Sequence, residues 1–133
     1  MYYINYTMKN NILKLIKYLY YFSLITLVIL YLFPGSIIGY FLYNDLGRQP
    51  NFIDNPIGTS INHFFYFVYL TSLAIICNSR NKRFFSSLIF IISISIILEI
   101  LHFIIPNRAF EINDLAANIL GVMLVLIIKK LIR

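Results

Sequence analysis

Apolar residues run almost unbroken along four stretches of this chain, at about 12–33, 60–78, 84–105 and 114–131. Charges, prolines and glycines collect between them. A helix needs about 20 residues to cross the hydrocarbon core of a bilayer. The first three stretches reach that length. The fourth begins at Asp114 and reaches Leu131 and Ile132 while Lys129 and Lys130 snorkel to the interface. The pattern predicts an all-α, polytopic membrane protein: one domain over residues 1–133, folded as a bundle of four transmembrane helices. The first stretch has a basic start, Lys9, Lys14 and Lys17, as a signal peptide would. Its apolar body is too long for one, however, and Phe33-Pro34-Gly35-Ser36 is a poor cleavage site, so it reads as a retained span.

The basic residues fix an expected orientation. Lys9, Lys14 and Lys17 form the basic start of span one, Arg80, Lys82 and Arg83 separate spans two and three, and Lys129, Lys130 and Arg133 close span four. The other two loops, 34–59 and 106–113, hold only Arg48 and Arg108 as basic residues, against Asp45, Asp54 and Glu111. By the positive-inside rule both ends and the 79–83 loop face the cytoplasm, and loops 34–59 and 106–113 face outward. In the first outer loop Pro34-Gly35 breaks the helix. The apolar and aromatic run Ile37–Tyr43 then reads as an interfacial anchor or a lid, and Asn44–Gly58 as a polar loop.

Composition agrees with the pattern: the chain is 60% hydrophobic and 12% charged, which leaves a soluble domain of this size no way to hide its apolar surface. The formal charge of +6 sits in clusters beside the spans, not on a soluble face, so nucleic acid is not an expected partner. The single cysteine, Cys77, excludes an internal disulfide and a cysteine metal cluster.

Candidate chemistry comes from polar residues at membrane depth. A charge there costs roughly 2.5–3.5 kcal/mol on insertion scales and by default marks function. Glu99 lies about 9 Å inside the outer end of span three at 1.5 Å per residue. His102 is one turn above it and Ser95 one turn below, on the same face. Asp114, Asn118 and Gly121 share a face of span four, with Ala117 and Gly121 forming a small-xxx-small pair for close helix approach. His63 opens span two, also on the outer side, and Arg108 sits in the outer loop. Bland readings exist for most of these. Asp114 can serve as a helix N-cap, Arg108 can pair with Glu111 or with headgroups, Asn118 can bridge helices, and His63 can be interfacial. Glu99 is the hardest to explain structurally, since a carboxyl at that depth needs a partner, a proton or a polar cavity.

Glu99 and His102 are the candidate acid and base; His63, Arg108, Asp114 and Asn118 are candidate ligand-binding residues. Glu99, His102, His63 and Asp114 can be combined into a metal site only weakly by spacing, so no metal or cofactor is assigned. No nucleophile motif, P-loop or dinucleotide fingerprint appears, so catalysis has no obvious nucleophile and a non-enzymatic role is favoured.

At these residues the chain resembles the VanZ-like family of small bacterial membrane proteins. Glu99, His102, Pro106 and Arg108 match its E-x-x-Q-x-x-x-P-x-R motif, with His102 in place of Gln. Asp114, Asn118 and Gly121 match the D-x-x-x-N-x-x-G that follows. His63 and Phe64 match part of a D-K-x-x-H-F-x-x-Y motif whose Asp-Lys pair is missing here. The resemblance covers roughly residues 58–128. It implies a bacterial cytoplasmic (inner) membrane and a role at the cell envelope; the family's namesake is linked to low-level teicoplanin resistance. The expected partners are the lipid bilayer and a lipid-linked glycan or phospholipid headgroup held at the outer face. The alternatives are a membrane-embedded hydrolase or transferase acting on a lipid phosphate, and a small transporter working as an oligomer.

Overall fold

In a computed structural model, residues 2–50, 58, 60–78 and 83–132 are described, the side chains at 2–7, 9 and 83–85 excepted. The described residues form five helices and no strand: α1 (Tyr2–Leu32), α2 (Ile37–Tyr43), α3 (Ser60–Asn78), α4 (Arg83–Leu101) and α5 (Ile112–Leu131). Most of the expected inner loop and half of the polar outer loop fall outside the described residues, at 79–82 and 51–57.

Three of these helices are long and apolar enough to cross a bilayer: Asn10–Leu32 within α1, and all of α3 and α5. Sequence predicts four. The apolar described part of α4, Ser86–Leu101, falls short, at about 24 Å against a core of about 30 Å. It also stops before the expected Ile105. Pro106 disfavours helical backbone at the residue before it. The chain tightens ahead of it into i→i+3 bonds, from His102 N to Glu99 O (3.1 Å) and from Ile104 N to Leu101 O (3.0 Å). His102 therefore sits in a turn beyond the helix, not on its face.

Each long helix is apolar on both sides. In α1, Tyr20, Leu24, Leu27 and Tyr31 face the bundle, while Leu15, Tyr18, Phe22, Ile25 and Ile29 are exposed at the same three-and-four spacing. A helix that is hydrophobic all round belongs in an apolar medium. Lipid is as apolar as leucine, so helix association there rests on close packing and interhelical hydrogen bonds. Both are present. Tyr66 donates its hydroxyl to Ser23 O at 2.7 Å, and Ser23 Oγ meets Tyr69 Oη at 3.0 Å, tying α1 to α3. The α3–α5 interface is the most extensive in the bundle. It closes on Gly121, where an added Cβ would sit 2.6 Å from Phe64 O and 3.1 Å from Phe67 Cβ. Backbone cannot yield as a side chain can, so Gly121→Ala is expected to destabilise the bundle by about 1–3 kcal/mol, as overpacking does. Thermal unfolding in detergent measures it; an unchanged midpoint would show the helices free to part.

The apolar run Ile37–Tyr43, expected as an interfacial anchor or a lid, is the short helix α2. Ser36 caps it, its Oγ accepting from Gly39 N at 2.9 Å, and Asn44 ends it in the left-handed region with φ 53°. Phe41 and Leu42 point outward, at 80% and 61% exposure.

Candidate functional site

The C-terminal end of α1, the start of α3, the end of α4 and the start of α5 meet at one end of the bundle. The helices therefore alternate in direction, and the polar residues each carries near that end converge. Glu99, His102, Asp114 and Asn118 are all buried, Glu99 and Asn118 with no exposure at all. His63 is nearly so, its side chain 13% exposed.

Glu99 ties α4 to α5. Its Oε1 accepts from the backbone N–H of Glu111 at 3.1 Å and meets His102 Nδ1 at 3.3 Å. Its Oε2 is buried with no partner among the described residues. His102 Nε2 lies 3.3 Å from Tyr31 O. Ser95, one turn below Glu99, is buried but does not join the cluster; its Oγ has no partner among the described residues.

Asp114 is not the N-cap of α5. Glu111 holds that position, without a side-chain capping bond, and Asp114 lies within the first turn. There its Oδ1 accepts from Ser60 Oγ at 2.5 Å, and its Oδ2 lies 3.4 Å from His63 Nε2. A helix N-terminus favours such a charge. His63 is thus a partner inside the cluster and not an interfacial residue.

Tyr31 is the hub that sequence reasoning missed. Its hydroxyl lies 2.6 Å from His63 Nδ1 and 3.1 Å from Asn118 Nδ2, which donates to it. Its ring stacks on His102, with centroids 5.2 Å apart and planes 19° apart, and meets His63 edge-on. With eleven tyrosines in the chain, nothing local singled this one out. The available signal was positional: it lies at the same end of the bundle as Glu99 and Asp114.

Among the described residues, Arg108 pairs with neither Glu111 nor any other carboxylate. Its Nη2 donates to Leu30 O at 2.8 Å and its Nε to Phe33 O at 3.4 Å. These carbonyls lie at the C-terminal end of α1, where a helix leaves acceptors unsatisfied and favours positive charge. Burial lowers the guanidinium pKa, against the pull of Tyr31, Glu99 and Asp114, yet an arginine stays charged. Burial and the nearby Asp114 and Glu99 carboxylates raise the Glu111 pKa.

Two cavities flank the cluster. One, of about 280 Å³, is polar and is bordered by Gln49, His102, Asn107, Arg108, Glu111 and Asp114. Asn107 takes a left-handed φ of 59° at its rim. The other, of about 130 Å³, is more apolar and reaches Tyr31, His63, Tyr66 and Ile37 of α2. Gln49, His102 and Arg108 border both. A charged, donor-rich mouth beside an apolar chamber suits a molecule with a polar head and a greasy body. A histidine bonded to a tyrosine and facing an aspartate can also move protons.

No curated protein and no solved structure matches this chain. A family model described as VanZ/LLP1 matches residues 5–133, essentially its whole length, so the chain belongs to the VanZ/LLP1 family.

Proposed function

We propose that this protein is a multi-pass protein of the bacterial cytoplasmic membrane whose polar site opens outward and binds an anionic lipid or glycan headgroup. The observation that carries this reading is the polar cavity beside Arg108, which shares Gln49, His102 and Arg108 as bordering residues with a more apolar cavity under α2. Family membership and three apolar helices support the membrane setting. In this reading α4 is a fourth, short span completed by its flanking residues. The site end carries few basic residues. The start of α1, the segment between α3 and α4, and the end of α5 carry the basic clusters, so the positive-inside rule turns the site outward.

Arg108 has five N–H donors in a fixed fork and directs two groups at α1, leaving others for an anion. Arg108→Ala is expected to weaken binding of phosphatidylglycerol by about tenfold or more, as loss of a charged hydrogen bond does. The measurement is titration of the purified protein in phosphatidylcholine nanodiscs, with thermal unfolding followed in parallel. Equal affinity in a folded Arg108→Ala variant would remove Arg108 from the site.

A second reading is a hydrolase or transferase acting on a lipid phosphate. The order Tyr31–His63–Asp114 favours it, with Tyr31 hydrogen-bonded to one ring nitrogen of His63 and Asp114 facing the other, because it resembles the orienting chains that serve general bases. It requires turnover that Glu99→Gln abolishes in a folded protein.

A further inference from the structure

Three ligating side chains from three helices converge in the cluster. His63 on α3, Glu99 on α4 and Asp114 on α5 each offer one atom, and the three atoms lie within 4.8 Å of one another. We propose that these residues bind a divalent transition cation, Zn²⁺ or Mn²⁺, with the remaining coordination positions turned toward the polar cavity.

Four observations support the site. His63 Nε2 and Asp114 Oδ2 are 3.4 Å apart. That is long for a hydrogen bond, whose N···O distance runs from about 2.7 to 3.2 Å. It matches the edge between two ligands that each lie about 2.0–2.1 Å from a tetrahedral cation. Glu99 is fully buried and its Oε2 has no partner among the described residues, so one carboxylate oxygen lacks the compensation that a cation would supply. Glu99 and Asp114 are both buried, and the ion pairs recorded for them among the described residues are with histidines, not with Lys or Arg. Two carboxylates held this close repel unless a proton or a cation lies between them.

The surroundings of His63 supply the fourth observation. A metal-bound imidazole donates its other N–H to a neighbouring acceptor, which fixes the ring. Here Nδ1 lies 2.6 Å from Tyr31 Oη, and Tyr31 can pass its own proton on to Asn118 Oδ1 at 3.3 Å. That order leaves Nε2 free to ligate. One imidazole and two carboxylates suit zinc or manganese better than magnesium, which prefers all-oxygen shells and keeps its waters. His102 is not a ligand in this arrangement, since its two nitrogens face Glu99 and Tyr31 O; it orients Glu99. The spacing of these residues in sequence carries no metal motif, because each ligand comes from a different helix.

The test is calorimetric titration of Zn²⁺ and, separately, Mn²⁺ into the chelator-treated protein in detergent, purified through a tag free of histidine. One saturable site per chain is expected. Glu99→Gln and His63→Gln are expected to weaken it by more than about a hundredfold, since even outer-shell changes cost about 10–100-fold. Tyr31→Phe is expected to fall in that outer-shell range, and circular dichroism verifies the fold of each variant. The wild-type protein gives an independent reading: Zn²⁺ should raise its melting temperature and a chelator should reverse the rise. Absence of saturable binding to the wild type overturns the proposal. So does undiminished affinity in folded Glu99→Gln and His63→Gln. Neither result depends on whether a headgroup binds.

Discussion

In the chelator-treated protein, Glu99→Ala is expected to destabilise the bundle by roughly 2–4 kcal/mol, while Glu99→Gln leaves its stability nearly unchanged. The alanine removes the acceptor of two buried donors, the backbone N–H of Glu111 and the ring of His102, which meet the same Oε1. A buried donor left without a partner costs about 1–3 kcal/mol. In Glu99→Gln an amide oxygen replaces Oε1 and keeps both bonds, and the amide nitrogen falls where Oε2 has no partner to lose. The charge, however, disappears. If the carboxylate serves a ligand, Glu99→Gln therefore separates function from folding: binding or an envelope phenotype such as glycopeptide sensitivity fails in a protein that, freed of metal, still melts where the metal-free wild type does. Thermal unfolding in detergent and the phenotype are read on the same variants. Loss of stability in both variants together would make the carboxylate a packing device.

Asp114→Ala is expected to have the second large effect, again roughly 2–4 kcal/mol of destabilisation, now at the α3–α5 junction. Ser60 Oγ and His63 Nε2 both lose the carboxylate they face, one at each oxygen. Asp114→Asn should be milder. Its amide oxygen can accept from Ser60, and the amide nitrogen can donate to His63 Nε2 once the imidazole moves its proton to Nδ1, where Tyr31 Oη accepts it. Thermal unfolding of the two variants side by side measures the difference. Equal losses would mean that the charge of Asp114, and not its geometry, holds α3 to α5.

The convergence of Glu99, His63, Asp114 and Asn118 was legible in the sequence, because alternating spans put the polar end of each helix on one side. Gly121 was legible too, as a small residue one helical repeat from Asp114. Other features depend on tertiary detail. The partners of Arg108 are backbone carbonyls of Leu30 and Phe33, and a backbone acceptor leaves no mark on the residue types that supply it. Tyr31 acts through one hydroxyl among eleven tyrosines, most of which look like interfacial aromatics. Asp114 resembles a cap in sequence, yet the helix starts earlier, at Ile112, and frees its carboxylate to reach across to α3. α4 reads as a full span until the turn before Pro106 shortens it.

The central claim is that the buried cluster opens, through its polar cavity, to the outside of the cell. Ala109 borders that cavity and is exposed, whereas Lys130 is exposed near the far end of α5. In a chain lacking its native thiol (Cys77→Ser), a single cysteine is placed at one position or the other. Intact bacterial cells are then treated with a membrane-impermeant maleimide. The account predicts that Ala109→Cys is modified in intact cells and Lys130→Cys only after permeabilisation. The reverse pattern, with Lys130→Cys modified first, would contradict it.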